Sequence, residues 1–178
     1  MALWVFGYGS LLWNPGFEVA EQAVATLHGW HRSFCMSSIH HRGTEEDPGL
    51  VLALDAAEQA HCHGLALRVK PGTEDAAIKE LRERELVSSA YLEKELSVTL
   101  QDGREVTTVT YVIDPHHEQY IHLTLEEQAK VISTAVGGRG PNTEYLYNTA
   151  AHLSELGIQD EELDWLSARV RELTSQMQ

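Results

Sequence analysis

The chain begins with an apolar run that ends in a glycine-containing turn: residues 3–12 read LWVFGYGSLL. The run from Leu3 to Tyr8 predicts a buried β-strand, which Gly9 ends. Gly7 and Gly9 let the main chain bend and expose its N–H groups, and such turns form concave cradles for anions. A simple tight turn between two hydrophobic segments is the alternative explanation of the same spacing.

Two familiar motifs do not fit this turn. A dinucleotide-binding fingerprint requires a third glycine at position 12, where the chain has Leu12. A serine nucleophile elbow requires glycine two residues before and two residues after the serine. Ser10 has Tyr8 and Leu12 at those positions.

The rest of the chain predicts strands first and helices later. Apolar runs predict strands at residues 24–27 and 33–38 around a turn at 28–30, and at residues 49–54 and 63–69. The Asp-Gly pair at 102–103 predicts a hairpin between residues 96–100 and 106–113. Periodicity predicts helices at residues 73–87, 124–136, 142–156 and 160–174. This order predicts an α+β fold whose helices are concentrated in the C-terminal part.

Several of these helices carry end signals. Thr124 and Glu127 have the spacing of a capping box. Asn142 is an N-cap candidate for the third helix, and Gly157 is a C-cap candidate.

Length, charge and cysteine usage bound the class of protein. A chain of 178 residues predicts one domain, residues 1–178. Thirteen basic against 27 acidic residues give a net charge of −14, which argues against nucleic acid and against a membrane surface as partners. The apolar start is interrupted by Asn14, Pro15 and glycines, so it predicts neither a spanning helix nor a secretory signal. Two cysteines make no disulfide framework, which predicts a cytoplasmic protein. Nothing in the sequence predicts an oligomeric state.

One carboxylate is aimed at the apolar side of the first predicted helix. At about 100° per residue, Ile78, Leu81 and Glu85 fall on one stripe. Three other charged residues point away from that stripe: Glu80, Glu83 and Arg84. Burial converts a carboxylate into a proton acceptor that works near neutral pH, so Glu85 is a candidate general base. The alternatives are a helix that ends before Glu85 and an edge glutamate paired with a neighbouring arginine.

Ten histidines raise the question of a metal site. His61 and His63 would lie on one face of a strand, and His40 and His41 are nearby in sequence. No acidic or cysteine residue stands at a zinc-site spacing from them, so we expect no metal. Most of these histidines are interpreted as surface or pH-titrating side chains.

Two further residues are ligand-binding candidates. Arg42 lies in a glycine-containing loop and could pair with a substrate carboxylate through two hydrogen bonds, although a solvated arginine fits that loop equally well. Tyr145 lies one turn into the third predicted helix, where its hydroxyl could reach a ligand.

In their order and spacing, these segments resemble one enzyme family. Residues 5–11, VFGYGSL, resemble the opening motif of the γ-glutamylcyclotransferase superfamily. Residues 41–52, residues 64–69, Arg84-Glu85 with Tyr91, and residues 140–146 resemble segments of its ChaC branch, the glutathione-specific enzymes. The resemblance covers residues 4 to 172. The segment between Glu85 and Tyr91 is two residues longer than the R-E-x-G-G-Y form of many members.

The resemblance implies a fold and a reaction. The fold would be a small mixed β-barrel flanked by helices. The α-amine of a γ-glutamyl group would attack its own γ-amide carbonyl, giving 5-oxoproline and, from glutathione, Cys-Gly, with no cofactor. Glu85 would be the catalytic acid/base. The implied substrate-binding residues are Val5, Phe6, Gly7, Tyr8, Gly9, Ser10, Leu11, Arg42, Tyr91 and Tyr145.

Three alternatives stay open at this point. The enzyme could cyclise other γ-glutamyl amino acids or amines by the same chemistry. It could be a hydrolase that uses Ser10 as nucleophile, although the missing elbow argues against this. It could also be a γ-glutamyl binding module without catalysis, against which the intact Glu85 argues.

Overall fold

A computed structural model describes residues 2–86 and 90–176. The chain divides into two units: Met1–Ser33 with Ala53–His117, and Phe34–Leu52 with Glu118–Gln178. The single domain over residues 1–178 stays a prediction. No helix among the described residues is long and apolar enough to cross a membrane.

Five strands close into a barrel in the order β1-β3-β2-β4-β5. Their bounds are Trp4–Gly7 (β1), Val19–Ser38 (β2), Gly49–Val69 (β3), Tyr91–Leu100 (β4) and Glu105–Ile113 (β5). β1 pairs antiparallel with β3, where Val5 lies opposite Leu67, and parallel with β5, where Val5 lies opposite Val109. A barrel with both kinds of pairing is mixed, which confirms that prediction.

The helices fall mainly in the C-terminal part, as predicted. Their bounds are Glu74–Glu85 (α1) in the first unit, and Leu125–Thr134 (α2), Asn142–Glu155 (α3) and Glu161–Gln176 (α4) in the second. A 3-10 turn at Ser10–Leu12 follows β1, and two short strands, Val136–Gly137 (β6) and Gly140–Pro141 (β7), pair with each other in the second unit.

The core of the first unit packs α1 against the barrel. One buried cluster joins side chains of β1, the 3-10 turn, the end of β3, α1 and β5: Val5, Leu11, Val69, Ala77, Leu81, Val109 and Tyr111. Because β1 is buried along its whole length, it occupies a fixed place between β3 and β5. The turn that follows β1 is therefore held beside the helix that carries Glu85.

Two predicted strand breaks are wrong. Residues 28–30 form no turn: β2 continues through them, and Gly29 takes a φ of +88° inside the strand. Glycine adopts this angle without a steric penalty, so the strand continues through this position. The predicted strands 49–54 and 63–69 are likewise one strand, β3. The intervening residues are mostly half-buried or exposed, so no apolar run marked them.

The predicted hairpin is confirmed between β4 and β5. Its turn closes with the Leu100 N–H donating to the Arg104 carbonyl at 2.7 Å. Gly103 takes a φ of +95°, whereas Asp102 does not adopt a positive φ, so only the glycine supplies this angle.

The second unit confirms one end signal and corrects two, each by one residue. Thr124 and Glu127 form the predicted capping box of α2. The C-cap of α3 is Leu156, and Gly157 is the residue after the cap, where it takes a φ of +75°. Asn142 is not the cap of α3 but its first residue, following Pro141. Its fully buried side chain instead accepts from the Leu50 N–H at 2.8 Å and donates to the Leu50 carbonyl at 2.8 Å.

Candidate active site

The turn after β1 uses two of its carbonyls in hydrogen bonds of its own. The Gly9 carbonyl accepts from the Leu12 N–H at 2.9 Å, and the Ser10 carbonyl accepts from the Asn14 N–H at 2.9 Å. Among residues 2–86 and 90–176, no group accepts from the N–H of Gly9, Ser10 or Leu11. We call residues 7–11 the cradle, since three successive N–H groups without an acceptor in the described part of the chain suit a ligand with developing negative charge.

The cradle is held by close contacts with the barrel. A Cβ atom on Gly64 of β3 would collide with the Gly7 carbonyl oxygen, so glycine is required where the two main chains approach. The Tyr8 hydroxyl donates to the Tyr111 carbonyl at 2.7 Å, inside the first unit. Val5, Phe6 and Leu11 are buried apolar side chains. Their role is to support the cradle, whereas direct substrate contact by their side chains stays a prediction.

Glu85 is the last residue of α1, and its side chain is 15% exposed. The alternative in which the helix ends before it is therefore wrong. Leu81 is buried, and Ile78 packs against the core cluster, whereas Glu80 and Glu83 are exposed. Ile78 and Leu81 thus lie inward as predicted, and Glu85 is largely buried. The alternative of a pairing with a neighbouring arginine is also realised, because Arg84 forms an ion pair with Glu85.

Arg84 does not point away from this region, contrary to the prediction from the helical wheel. Its side chain is 19% exposed, and its guanidinium donates to Ser10 Oγ at 2.9 Å and to the Asn14 carbonyl at 2.6 Å. Its Nε lies 3.5 Å from Glu85 Oε1. One guanidinium therefore joins the cradle to the candidate base. The wheel gives the direction in which Cβ leaves the helix, and a long arginine side chain can turn back from there.

A second polar network lies beside the end of α1. The Tyr111 hydroxyl donates to Glu93 Oε1 at 2.9 Å, and Arg82 donates to both oxygens of Glu93 at 3.1 and 3.0 Å. Burial, the hydrogen bond to Glu93 and the charges of Glu93 and Glu85 all raise the pKa of Tyr111. The hydrogen bond from Arg82 is the main cause that lowers the pKa of Glu93. Tyr111 is thus a neutral donor in the electric field of Glu85, a role that the sequence did not reveal.

Tyr91 is the first residue of β4 and packs against the core cluster, opposite Ile113 of β5. This places it in the same unit as the cradle and Glu85. Most of the longer segment between Glu85 and Tyr91, residues 87–89, lies outside the described residues. A substrate contact by Tyr91 stays a prediction.

Arg42 and Tyr145 belong to the second unit. Arg42 is buried and donates to the Pro141 carbonyl at 3.0 Å and to Glu144 Oε1 at 3.3 Å. It is not the solvated loop arginine of the alternative interpretation. The Tyr145 hydroxyl accepts from the Leu52 N–H at 3.2 Å, and the Arg42 guanidinium lies 5.6 Å from its ring centre. These contacts stabilise the start of α3, and substrate binding by either residue stays a prediction.

Three histidines of the barrel lie together. The ring centres of His61 and His63 are 4.9 Å apart, and those of His28 and His61 are 6.1 Å apart. Burial lowers the pKa of His63, and the charges of His61, Arg32 and His28 add to this. Over the described ranges, no three His, Cys, Asp or Glu side chains are arranged to hold a metal ion.

Comparisons with known proteins assign this geometry a family. A family model described as ChaC-like protein matches residues 3–173. A relative from Escherichia coli K12, named glutathione-specific γ-glutamylcyclotransferase, is 37% identical over 175 residues, which cover 98% of this chain and 75% of that protein. A relative from Arabidopsis thaliana, named γ-glutamylcyclotransferase 2-3, is 33% identical over 183 residues, which cover 99% of this chain and 92% of that protein.

A solved structure gives the same result for the fold. The yeast γ-glutamyl cyclotransferase specific to glutathione matches with a TM-score of 0.87 at 24% identity, covering 96% of each chain. This likeness agrees with the mixed five-stranded barrel described above and confirms the predicted fold class.

Proposed function

The chain belongs to the ChaC-like protein family, and from that premise we propose that it is a glutathione-specific γ-glutamylcyclotransferase. The names of its curated relatives supply the substrate and the reaction. Within this chain, one observation carries the proposal. A carboxylate that is 15% exposed, Glu85, is joined through Arg84 to a turn whose N–H groups are open.

The reaction is an internal exchange of one amide for another. The α-nitrogen of the γ-glutamyl group attacks the γ-carbonyl carbon and forms a five-membered ring. The γ-amide C–N bond breaks, and the protons lost by the α-nitrogen end on the leaving amine. The products are 5-oxoproline and Cys-Gly, and neither water nor a cofactor enters the balance.

Glu85 is proposed to move those protons. The α-amine of a peptide has a pKa of about 8, so at neutral pH it is mostly an ammonium and must lose a proton before it attacks. A carboxylate held at the apolar face of α1 can take that proton and deliver it to the leaving amine. The ion pair with Arg84 holds the carboxylate in place beside the cradle.

The cradle is proposed to stabilise the tetrahedral intermediate. That intermediate places negative charge on the former carbonyl oxygen, and the open N–H groups of Gly9, Ser10 and Leu11 are its donors. Ser10 Oγ accepts a hydrogen bond from Arg84, so its own hydroxyl hydrogen is directed elsewhere and is a further donor.

The same contact argues against the hydrolase alternative. A serine nucleophile needs a neighbouring base, and a guanidinium cannot take a proton in a protein. The alternative of other γ-glutamyl substrates keeps all of this chemistry and changes only what the site accepts.

We also propose that the enzyme works in the cytoplasm and without a cofactor. Cys35 and Cys62 are both buried, and buried thiols suit a reducing compartment. Every proton transfer above is assigned to a side chain or to the substrate itself.

Product analysis tests the proposal. Purified protein is incubated with glutathione, and separately with γ-glutamyl-alanine, in the presence of EDTA, and products are identified by mass spectrometry. We expect 5-oxoproline and Cys-Gly from glutathione alone. Turnover of γ-glutamyl-alanine would broaden the substrate class, free glutamate would indicate hydrolysis, and no product from either would leave a binding module.

A matched pair of variants tests the base. Glu85→Gln should keep the fold and abolish turnover, because the amide cannot accept the proton. Glu83→Gln changes an exposed carboxylate on the same helix and should retain full activity. An active Glu85→Gln protein would exclude Glu85 as the base while leaving the reaction class intact.

A further inference from the structure

Arg32 is a buried charge that no part of the mechanism has used. It lies on β2, and the residue is 4% exposed. Its Nη1 donates to the His63 carbonyl at 2.8 Å and to the Tyr8 carbonyl at 3.3 Å, with Cys62 Sγ at 3.4 Å. Burying a guanidinium is unfavourable unless its donors find partners. Here two of the partners are main-chain carbonyls, and one of these belongs to the cradle.

The Tyr8 carbonyl is chemically tied to a cradle donor. The Tyr8 C=O and the Gly9 N–H belong to one planar peptide unit, which is trans. In a trans peptide these two bonds point in opposite directions. A group that holds the carbonyl on one side therefore turns the N–H to the other. A hydrogen bond at the carbonyl also polarises the peptide and makes its N–H a stronger donor.

Three successive carbonyls of the cradle, at residues 8–10, accept hydrogen bonds. The Gly9 and Ser10 carbonyls are held by main-chain N–H groups of residues 12–14, whereas the Tyr8 carbonyl is held by Arg32. The same nitrogen also donates to the His63 carbonyl. Arg32 therefore fixes the direction of the Tyr8–Gly9 peptide relative to the main chain of β3. Gly64, which follows His63, also approaches the carbonyl of Gly7, which precedes Tyr8. The same two segments of main chain therefore meet at neighbouring residues.

We propose that Arg32 is a positioning residue that aims and polarises the Gly9 N–H toward the oxyanion of the reaction. The proposal rests on the proposed cyclotransferase function. Arg32 acts through the peptide and does not itself contact the substrate.

The chain offers a direct way to observe this peptide. Tyr8-Gly9 is the only Tyr-Gly pair in the sequence. Protein labelled with carbonyl-¹³C tyrosine and ¹⁵N glycine therefore gives a single HNCO signal. The folded unmodified protein gives the reference position of the Tyr8 carbonyl carbon, because accepting a hydrogen bond from Arg32 moves this carbon downfield. Arg32→Lys and Arg32→Met should move it upfield. A carbonyl shift that is unmoved in a folded variant would overturn the proposal.

The Gly9 N–H, which is the donor of this peptide unit, is observed with substrate present. In the Glu85→Gln protein, in which glutathione should persist, adding glutathione should move the Gly9 ¹H and ¹⁵N shifts. Adding Arg32→Lys to that protein should reduce the movement. An equal movement in both proteins would show that Gly9 does not depend on Arg32.

Kinetic measurements distinguish a positioning role of Arg32 from a role in protein stability alone. Arg32→Lys should lower kcat by about 10- to 100-fold and change KM by less than about threefold, because the oxyanion exists only in the transition state. Val98→Ala, a buried barrel residue away from these contacts, serves as the destabilised control and should keep kcat. Unchanged kcat in folded Arg32→Lys protein would assign Arg32 a purely structural role. The unmodified protein could give no product while the Tyr8 carbonyl shift still changes in the Arg32 variants. That result would contradict the proposed function but would support the contact between Arg32 and the Tyr8–Gly9 peptide.

Discussion

Ser10 and Glu85 lie on different elements of the first unit, and the Arg84 guanidinium contacts both. A charge-assisted hydrogen bond of this kind contributes about 1.5–3 kcal/mol, which corresponds to about 10- to 100-fold in rate. We therefore expect Arg84→Met to lower kcat/KM by about that factor.

Ser10→Ala should weaken substrate positioning and leave measurable activity, because the main-chain donors remain.

A double-mutant cycle decides whether the two residues act together. If Arg84 acts largely through Ser10, the combined variant should lose less than the product of the two single losses. Arg104→Met, at an exposed arginine paired with Glu21 and Asp102, is the control and should keep full activity. Independent losses in the cycle would mean that Arg84 works mainly through Glu85 or the Asn14 carbonyl. Covalent labelling of Ser10 by a fluorophosphonate would instead support the hydrolase.

At the residue scale, the sequence predicts the position of a short side chain better than that of a long one. Glu85 could be predicted because helical periodicity fixes the direction of Cβ, and the carboxylate extends little beyond it. Arg84 and Arg32 could not, because their long side chains end far from the position that the pattern indicates. Tyr111 was hidden in an apolar strand, where its hydroxyl gives no periodic signal.

Within the second unit, Asn142 links α3 to β3 through two hydrogen bonds with Leu50. Asn142→Ala would leave the Leu50 N–H and C=O buried without this partner, and each unsatisfied group costs about 1–3 kcal/mol. We expect the free energy of unfolding to fall by about 2–4 kcal/mol in chemical denaturation. Asn148→Ala, on the same helix, should change it by less than about 0.5 kcal/mol. Equal losses in the two variants would contradict the assigned role.

His63 of β3 makes the stability of the first unit depend on pH. Burial and the nearby charges of His61, Arg32 and His28 lower the pKa of His63. The unfolded chain therefore binds a proton at this position more readily than the folded chain, so stability falls as pH drops below about 6.5. His63→Gln should flatten the decline in melting temperature between about pH 7.5 and 5.5. His116→Gln, at an exposed histidine away from this cluster, should leave the decline unchanged. Parallel declines in the His63→Gln and unmodified proteins would contradict this assignment.

Element boundaries were predictable where the signal was local. The capping box of α2, the glycine beyond α3 and the Asp-Gly hairpin each depend on a few adjacent residues. The long strands were not predictable in full. In β3, polar residues between two apolar runs looked like a break, yet pairing with neighbouring strands keeps them extended. Pairing across the sheet is a tertiary effect that local composition does not reveal.

At the level of the whole molecule, closure of the barrel followed from the family resemblance and not from the pattern of residues. Periodicity identified strands and an α+β order. It did not specify that β1 would pair with β3 on one side and in parallel with β5 on the other. Such pairings join residues about 60 to 100 positions apart, and several registers satisfy the same apolar pattern.

The net charge of the whole molecule predicts how salt affects the reaction with glutathione. The protein carries −14 at neutral pH, and glutathione, with two carboxylates and one ammonium, carries a single net negative charge. Long-range repulsion should therefore slow encounter, and salt should relieve it, because the Debye length falls from about 30 Å at 0.01 M to about 8 Å at 0.15 M. We expect kcat/KM for glutathione to rise about two- to threefold over this range, with kcat unchanged. The monoethyl ester at the glycine carboxylate has no net charge and should lose this dependence. A fall in kcat/KM with salt would mean that positive groups near the cradle, Arg84 first among them, outweigh the charge of the whole molecule.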